Sequence, residues 1–335
     1  MFKASRDRIM GTQRQVYFGD VTEACQRISG FIHRTPIFTN STIDGLTGRN
    51  IYFKAENLQK TGSFKVRGAI NSVLKLKEKD RAVVGVTTHS SGNHGQALAC
   101  AARSVRFPCS IVVPSYTSAV KKAAIKGYGA ELTECGPLAS DRRETCEKVA
   151  LEKNYEIIPS SDHYDVIAGQ GTIAMEFLEQ VPDLDAILVS VSGGGMISGI
   201  AIAAKHIKPG IKVFAVEPEG KILEKCLTSG ERLWPNPPQY LDTIAEGIKL
   251  QQVGHLTWPI LLELVEKEVF TVNNEEIKVG MQFVFQRMKL VVEAASGAAV
   301  AAVLSEQFKT LDSSIKNVGV ILCGGNVDID HLPWY

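Results

Sequence analysis

The sequence predicts an α/β fold with open, twisted, mostly parallel sheets in two lobes. From Ile51 onward, short β-branched runs alternate with longer helical patterns, as in strand-helix-strand units around a parallel sheet. At 335 residues the chain exceeds the usual single core, and no Pro/Gly/Ser-rich linker divides it. We therefore predict a large discontinuous lobe, residues 1–84 and 163–335, that carries an inserted small substrate-binding lobe, residues 85–162, with the active site in the cleft between them.

The individual elements follow from local patterning. Buried strands are predicted at Ile51–Ala55, Ala82–Thr88, Cys109–Val113, Glu131–Glu134, Ala186–Val191, Lys212–Val216 and Val318–Cys323. Helices are predicted at His94–Ser104, Ser118–Gly127, Ser140–Lys153, Gln170–Gln180, Met196–Ile207 and Ser296–Phe308. The segment Arg232–Tyr240 contains three prolines, which remove backbone donors, so we expect a surface connector there, with a docking loop as the alternative.

Composition excludes several classes of function. The 37 Lys and Arg residues nearly balance the 36 Asp and Glu residues, so no net field favours nucleic acid or an anionic membrane. The seven cysteines are dispersed and show no CxxC spacing, which indicates a reducing compartment. No run reaches the length of a membrane span. We expect a cytoplasmic protein that acts on small molecules; the basic first twenty residues leave a mitochondrial presequence as an alternative.

The stretch Thr61–Gly68 contains a lysine in surroundings that suit covalent chemistry. Lys65 lies beside Phe64 and near Arg67, between two glycines. Desolvation by the ring and repulsion by the guanidinium would both favour the neutral amine that a Schiff base requires. A solvated lysine in a Lys-rich segment is the alternative interpretation of this stretch alone.

The stretch Ser90–Gly95 follows a predicted strand and begins a predicted helix. Backbone N–H groups, two hydroxyls and an amide therefore converge at a helix N-terminus, where anions bind favourably. A helix N-cap needs fewer of these groups, so we predict a carboxylate-binding turn there. His89 and His94 flank this turn; the other histidines show no metal-ligand spacing.

Three consecutive glycines, Gly193–Gly195, stand where another strand passes into a helix. Such a backbone can wrap a phosphate with its N–H groups. A dinucleotide fingerprint with Glu217 on the ribose is the alternative, which would make the chain a nicotinamide oxidoreductase. Ser198 replaces the third glycine of that fingerprint. The non-enzyme alternative is a binding or regulatory protein that is related to such enzymes but does not catalyse a reaction.

The last strand ends at Cys323, followed by Gly324, Gly325 and Asn326. A thiol and an amide at the carboxyl edge of a parallel sheet lie where ligands collect. A buried structural cysteine is the competing interpretation.

In this order, the Ser-Phe-Lys stretch, the turn Ser90–Gly95, the glycine run with Met196 and the Cys-Gly-Gly-Asn stretch resemble the fold-type II pyridoxal phosphate (PLP) enzymes of the serine/threonine dehydratase family. The resemblance extends from about Thr22 to Asp328 and includes the serine racemases of that family. The resemblance implies that Lys65 binds PLP as a Schiff base and that Cys323 faces the pyridine nitrogen. The other implied cofactor-binding residues are Phe64, Asn93, Gly193, Gly194, Gly195, Met196 and Glu293.

The resemblance also implies the reaction. Lys65 and Ser91 would exchange the α-proton on opposite faces of the substrate and interconvert L- and D-serine, while loss of the β-hydroxyl would give pyruvate and ammonia. The implied substrate-binding residues are Ser90, Ser91, Asn93, His94, Arg142 and Ser161. The family has Pro-Asn-Gln where this chain has Ser160, Ser161 and Asp162. That departure leaves aspartate racemisation open, although Asp162 would repel a second carboxylate, and L-serine/L-threonine dehydration is a further alternative.

Two regulatory sites are implied by the same resemblance. An ATP site at the interface of a homodimer would comprise Asn40, Ser41, Lys60, Thr61, Gln96, Tyr128, Lys289 and Asn326. The family's divalent-metal ligands are an acidic residue that matches Glu217, a backbone carbonyl at the position of Lys221 and an Asp at the position of Leu223, so one side-chain carboxylate remains and a lysine stands nearby. We expect weak or absent Mg²⁺ binding, with the Lys221 ammonium replacing the charge of the ion.

Overall fold

A computed structural model describes residues 15–79 and 82–334. Most of the basic segment considered above as a presequence lies outside these residues. The strands are β1 (Ile37–Phe38), β2 (Asn50–Lys54), β3 (Gly85–Thr88), β4 (Cys109–Pro114), β5 (Glu131–Cys135), β6 (Tyr155–Ile157), β7 (Ala186–Ser190), β8 (Lys212–Pro218), β9 (Val269–Val272) and β10 (Asn317–Ile321).

Helices surround both sheets. They are α1 (Phe18–Ile28), α2 (Ser41–Thr47), α3 (Lys65–Lys79), α4 (Asn93–Ser104), α5 (Ala119–Gly127), α6 (Ala139–Lys153), α7 (Tyr164–Gln180), α8 (Gly195–Ile207), α9 (Leu223–Ser229), α10 (Thr257–Leu264), α11 (Asn274–Phe283), α12 (Ala294–Leu304) and α13 (Glu306–Lys309). In the described part of the chain, no helix is long and apolar enough to cross a membrane.

The strands form two sheets. The larger has the order β1-β2-β10-β7-β8-β9 and is parallel except for the β1–β2 pair, and the smaller has the order β5-β4-β3-β6 and is entirely parallel. The predicted fold class is therefore confirmed. Every strand of the smaller sheet lies within the predicted small lobe, whose boundaries stay a prediction.

The hydrophobic core explains how the larger sheet is held. Strand β7 and the first ten residues of α8 are buried. Helix α8 packs closely on α7: a Cβ added at Gly199 would lie 2.5 Å from the backbone nitrogen of Gly171. Glycine at these positions therefore lets α8 approach closely enough for its N-terminus to stand at the carboxyl edge of the sheet.

Several predicted boundaries were wrong. The helix expected over Ser296–Phe308 is two helices, because Ser305 adopts an extended conformation and its hydroxyl accepts a hydrogen bond from the N–H of Phe308. Helix α7 begins six residues before the predicted Gln170. Strands β6 and β9 were not predicted. Each contains only three or four residues, which is too short for a clear period.

Candidate active site

Lys65 is the first residue of α3 and lies half-buried in the cleft. Its ammonium donates a hydrogen bond to the carbonyl oxygen of Ser160 at 2.6 Å and lies 5.0 Å from the centre of the Phe64 ring. Burial lowers the pKa of Lys65 to about 8, and the nearby Glu293 carboxylate opposes the shift. A substantial fraction of this amine is therefore neutral near physiological pH, as its predicted role requires.

The prediction that Arg67 repels the Lys65 ammonium was wrong. The Arg67 guanidinium is buried and faces away from the cleft, where it binds Glu56 at 2.7 Å and Glu176 at 3.1 Å. Lys54 binds the same Glu176 carboxylate at 2.6 Å. This buried network anchors the first turn of α3 and thus positions Lys65, without altering its charge state.

Asn93 and Glu293 connect the two sheets beside Lys65. The Asn93 amide donates to both carboxylate oxygens of Glu293 at 2.9 Å, and its own oxygen accepts from the Asn326 amide at 2.8 Å. Burial raises the pKa of Glu293 to about 7, while the hydrogen bonds from Asn93 and the charge of Lys65 oppose the shift. Asn326 also donates to the carbonyl oxygen of Thr61. These hydrogen bonds join residues of motifs that are far apart in the sequence.

Cys323 is buried at the carboxyl end of β10, with its sulfur 3.5 Å from the hydroxyl of Ser296. Burial raises the pKa of the thiol to about 12, helped by the charge of Glu293. The thiol is therefore neutral. A neutral thiol is a poor proton source, and its place opposite a pyridine nitrogen stays a prediction.

The glycine loop lies between β7 and α8, with Gly194 at a φ of 90°. The hydroxyl of Thr257 donates to the carbonyl oxygen of Gly193 at 2.8 Å. A Cβ at Gly195 would lie 2.6 Å from the carbonyl oxygen of Ser161, so only glycine lets the loop pass so close to it. The first N–H groups of α8, including that of the buried Met196, have no acceptor within the helix. Sequence reasoning missed Thr257, because its contact spans 64 residues.

The turn Ser90–Gly95 leads from β3 into α4, and Gly92 stands at the N-cap position. Ser90, Ser91 and Asn93 are half-buried, so their polar groups line the cleft. The Nε2 of His94 donates to the carbonyl oxygen of Ile158 at 2.8 Å, while its buried Nδ1 has no hydrogen-bond partner among the described residues. Burial, with a smaller effect of the Lys65 charge, lowers the pKa of His94 to about 3. His94 is a neutral acceptor there.

Arg142 extends from α6 toward this turn. Its guanidinium donates to the hydroxyl of Tyr240 at 3.3 Å and lies 5.7 Å from the centre of that ring. Its buried Nε has no partner within the described residues. Burial and the charge of Arg142 both lower the pKa of His89, which precedes the turn. A guanidinium with an unused N–H therefore stands near the predicted carboxylate turn.

Ser160, Ser161 and Asp162 follow β6 and contact both Lys65 and the glycine loop. The Asp162 carboxylate accepts hydrogen bonds from the backbone N–H groups of His255, Leu256 and Thr257 at 2.9, 2.9 and 3.2 Å. It therefore caps the start of α10. We expected Asp162 to repel a second substrate carboxylate. Its own carboxylate, however, already accepts these three backbone hydrogen bonds, which stabilise its negative charge.

The predicted ATP-site residues lie in separate groups within this chain. Asn40 caps α2 and donates to the carbonyl oxygen of Arg287, close to Lys289 in sequence, while Thr61 contacts Asn326. Among the described residues, no hydrogen bond joins these two groups. The others are Ser41 in α2, Lys60 before Thr61, Gln96 in α4 and Tyr128 after α5. This site stays a prediction.

The residues fit PLP but not a divalent metal. The glycine loop and α8 N-terminus suit a phosphate, the buried Nδ1 of His94 and Nε of Arg142 lack partners in the described chain, and Lys65 is a suitable amine. At Glu217 the carboxylate instead accepts from the N–H of Leu223 at 2.8 Å and from the hydroxyl of Thr271 at 3.2 Å. In the described chain no cluster of three His, Cys, Asp or Glu residues could hold a metal ion.

Comparison with known proteins also indicates a PLP enzyme. The family model described as "Pyridoxal-phosphate dependent enzyme" matches residues 28–324. Serine racemase from Mus musculus is 46% identical over 97% of this chain and 96% of its own length. L-threo-3-hydroxyaspartate ammonia-lyase from Saccharomyces cerevisiae is 42% identical over 93% of this chain and 94% of its own length.

Solved structures add a further relative. The crystal structure of a pyridoxal 5'-phosphate-dependent aspartate racemase is 58% identical to this chain, with a TM-score of 0.94, and the match covers 97% of this chain and 100% of the other. These matches span nearly the whole sequence. They agree with the resemblance drawn from the motifs, and they give no support to the nicotinamide or silent-relative alternatives.

Proposed function

The chain belongs to the family of pyridoxal-phosphate-dependent enzymes, and we propose that it racemises small amino acids and also eliminates their β-substituents. The observation that carries the proposal is Lys65, an amine with a lowered pKa that lies beside Phe64 and the carbonyl oxygen of Ser160; the next residue, Ser161, lies against the glycine loop. The relatives with known activities, a racemase and an ammonia-lyase, support both halves of the proposal.

In the proposed mechanism, bound PLP supplies an electron sink that makes the α-proton of the amino acid acidic. Lys65 takes that proton on one face, because its pKa of about 8 leaves a neutral amine available. The neutral Cys323 thiol would lie toward the ring nitrogen of bound PLP and would be too weak an acid to protonate it. Asn93 and Glu293 hold the opposite edge of the site through their hydrogen bonds.

Ser91 is the proposed acid on the other face. It stands two residues before Asn93 in the half-buried turn before α4, and its hydroxyl is a suitable donor. Proton return from Ser91 inverts the α-carbon. Departure of a β-hydroxyl instead gives elimination, which needs no proton from Ser91 at the α-carbon. The two reactions therefore depend on Ser91 to different extents.

Serine and aspartate are the two proposed substrates. Serine is the substrate named in several relatives. Two observations favour aspartate as well: the buried Nε of Arg142 has no hydrogen-bond partner among the described residues and would suit a second carboxylate, and the Asp162 carboxylate is occupied at the start of α10. The 58% identity to an aspartate racemase, and the dicarboxylate substrate named in the yeast lyase, support the same choice.

Chiral chromatography of the products tests this function. Purified protein with PLP is incubated with L-serine, L-aspartate or L-threonine, and D-amino acid and 2-oxoacid are quantified. We expect D-serine or D-aspartate, together with pyruvate from L-serine, and no product from Lys65→Ala. An absorbance band in the visible range that borohydride abolishes would identify the bound cofactor, and a colourless protein without either product would contradict the proposal.

We further propose an oligomeric state and a cellular location. A homodimer would bring the separated ATP-site groups together across the interface, because the contacts within one chain do not join them. An ATP titration of serine elimination tests this, and an unchanged rate and affinity would refute it. We also propose a cytoplasmic location, which the seven free cysteines support and cell fractionation tests.

A further inference from the structure

Lys221 is a fully buried lysine directly below the phosphate loop. Its ammonium donates to the carbonyl oxygens of Ser192, Leu250 and Gln251 at 3.0, 2.5 and 3.1 Å. Burial acts to lower the pKa of Lys221, and the Glu217 carboxylate opposes that shift. Three acceptors match the three N–H groups of an ammonium, whereas a neutral amine offers two. The geometry therefore favours the charged form.

The three positions where the family resemblance implies metal ligands are all occupied in other ways. The Glu217 carboxylate accepts from Leu223 and Thr271. The carbonyl oxygen of Lys221 accepts from the indole N–H of Trp234 at 2.5 Å. Leu223 supplies no side-chain oxygen at the third position. A hard cation that needs six or more oxygen ligands therefore has no coordination sphere in this region of the described chain.

The acceptors of Lys221 belong to two functional segments. Ser192 is the residue that precedes the glycine loop. Leu250 pairs with Tyr240, and Tyr240 contacts Arg142 on the other side of the cleft. The ammonium thus joins the phosphate loop to the segment that carries Tyr240. The proline-rich segment before Tyr240 is more than the surface connector we expected, because Trp234 is buried against Lys221.

We propose that the Lys221 ammonium is a built-in cation that replaces a divalent metal and holds the phosphate loop in its cofactor-binding geometry. Lys221 is a positioning residue, because it contacts backbone carbonyls rather than the reacting atoms. A covalently attached cation cannot dissociate, so cofactor binding becomes independent of free Mg²⁺. The inference rests on the proposed function only in that the loop binds the PLP phosphate, and its tests use no amino-acid substrate.

The first test uses the unmodified protein. Its melting temperature and its bound metal content are measured after EDTA treatment and after addition of Mg²⁺ or Mn²⁺, both with PLP bound. We expect no shift in melting temperature and no stoichiometric metal. A rise in melting temperature with Mg²⁺ that Glu217→Ala abolishes would overturn the proposal, and this result requires no variant of Lys221.

The second test measures PLP affinity of the apoenzyme by fluorescence titration. Lys221→Met keeps the volume of the side chain but leaves three buried carbonyl oxygens without donors, so we expect PLP affinity to fall about tenfold or more. Lys208→Met is the matched control: Lys208 donates to one carbonyl oxygen, of Leu184, outside the site. Equal PLP affinity of Lys221→Met and Lys208→Met would refute the positioning role.

The third test exchanges the two kinds of cation. The double variant Lys221→Ala/Leu223→Asp supplies an empty space and a second carboxylate beside Glu217, so we expect it to gain a Mg²⁺-dependent rise in melting temperature and in PLP affinity. Leu223→Asp alone retains the ammonium and should show neither gain. A similar Mg²⁺ response of the single and the double variant would show that the ammonium does not occupy the cation position, and would refute the proposal.

Discussion

The approach of Ser161 to the glycine loop gives a quantitative prediction for Gly193→Ala. A Cβ at Gly193 would overlap the Ser161 hydroxyl and lie 3.2 Å from the Ser161 Cβ. Overpacking of this kind costs about 1–3 kcal/mol. Because the loop must adopt this geometry to bind PLP, we expect the affinity for PLP to fall by about 5- to 150-fold. The clash is with a side-chain oxygen, so Ser161→Ala removes its worst contact. We therefore expect the double variant Gly193→Ala/Ser161→Ala to recover most of the lost affinity.

Gly195→Ala is the matched control for this experiment. There the added Cβ would lie 2.6 Å from the carbonyl oxygen and 2.9 Å from the Cα of Ser161, and both are backbone atoms that Ser161→Ala leaves in place. PLP affinity is measured by titrating each apoenzyme, and thermal melting of the same apoenzymes separates loss of binding from loss of folding. Equal rescue of Gly193→Ala and Gly195→Ala by Ser161→Ala, or normal PLP binding by Gly193→Ala, would refute the geometry.

Further predictions concern charge and stability. The rate at which apoenzyme reacts with PLP should rise with pH through about 8, because the neutral Lys65 amine is the nucleophile and its folded pKa is about 8; a rate independent of pH from 6.5 to 9.5 would contradict this. Arg142→Lys should lower kcat/KM for L-aspartate by about tenfold or more while leaving L-serine elimination within about threefold, since a lysine does not reproduce the guanidinium fork; equal losses would argue against a second carboxylate site. Arg67→Met should lower the free energy of unfolding by about 3–5 kcal/mol in denaturant melts, because Glu56 stays buried without its partner, and an unchanged melt would count against the buried network. Asp162→Ala should lower it by about 0.5–2 kcal/mol through loss of the α10 cap, which Asp162→Asn should partly retain; a full loss in both variants would point to another cause.

Local sequence patterns predicted much of the fold because the central strands are continuous apolar runs. Strands β7 and β8 lie within one or two residues of their predicted bounds. Where the prediction failed, a single side chain or a long-range contact decides the structure. Ser305 ends α12 by capping α13, and α11, which was not predicted, begins at the Asn273–Glu276 capping box.

The site was predicted as separate motifs, and only the structure shows how they meet. Lys65, Asn93 and Glu293 come together because parallel strands of both sheets end at the cleft. The contact of Arg67 with Glu56 and Glu176 could not be predicted, since the chain separations of 11 and 109 residues carry no local signal. For this reason the sequence wrongly predicted that Arg67 repels the Lys65 ammonium.

The role of Ser91 as the second acid is the central claim, and the ratio of racemisation to elimination by Ser91→Ala tests it most directly. Both rates are measured on L-serine in the same reaction, with D-serine and pyruvate quantified together. Loss of a general acid should lower racemisation by at least about 100-fold, while elimination falls by less than about tenfold. If racemisation and elimination fall equally, Ser91 does not donate the proton on the second face and the account is contradicted.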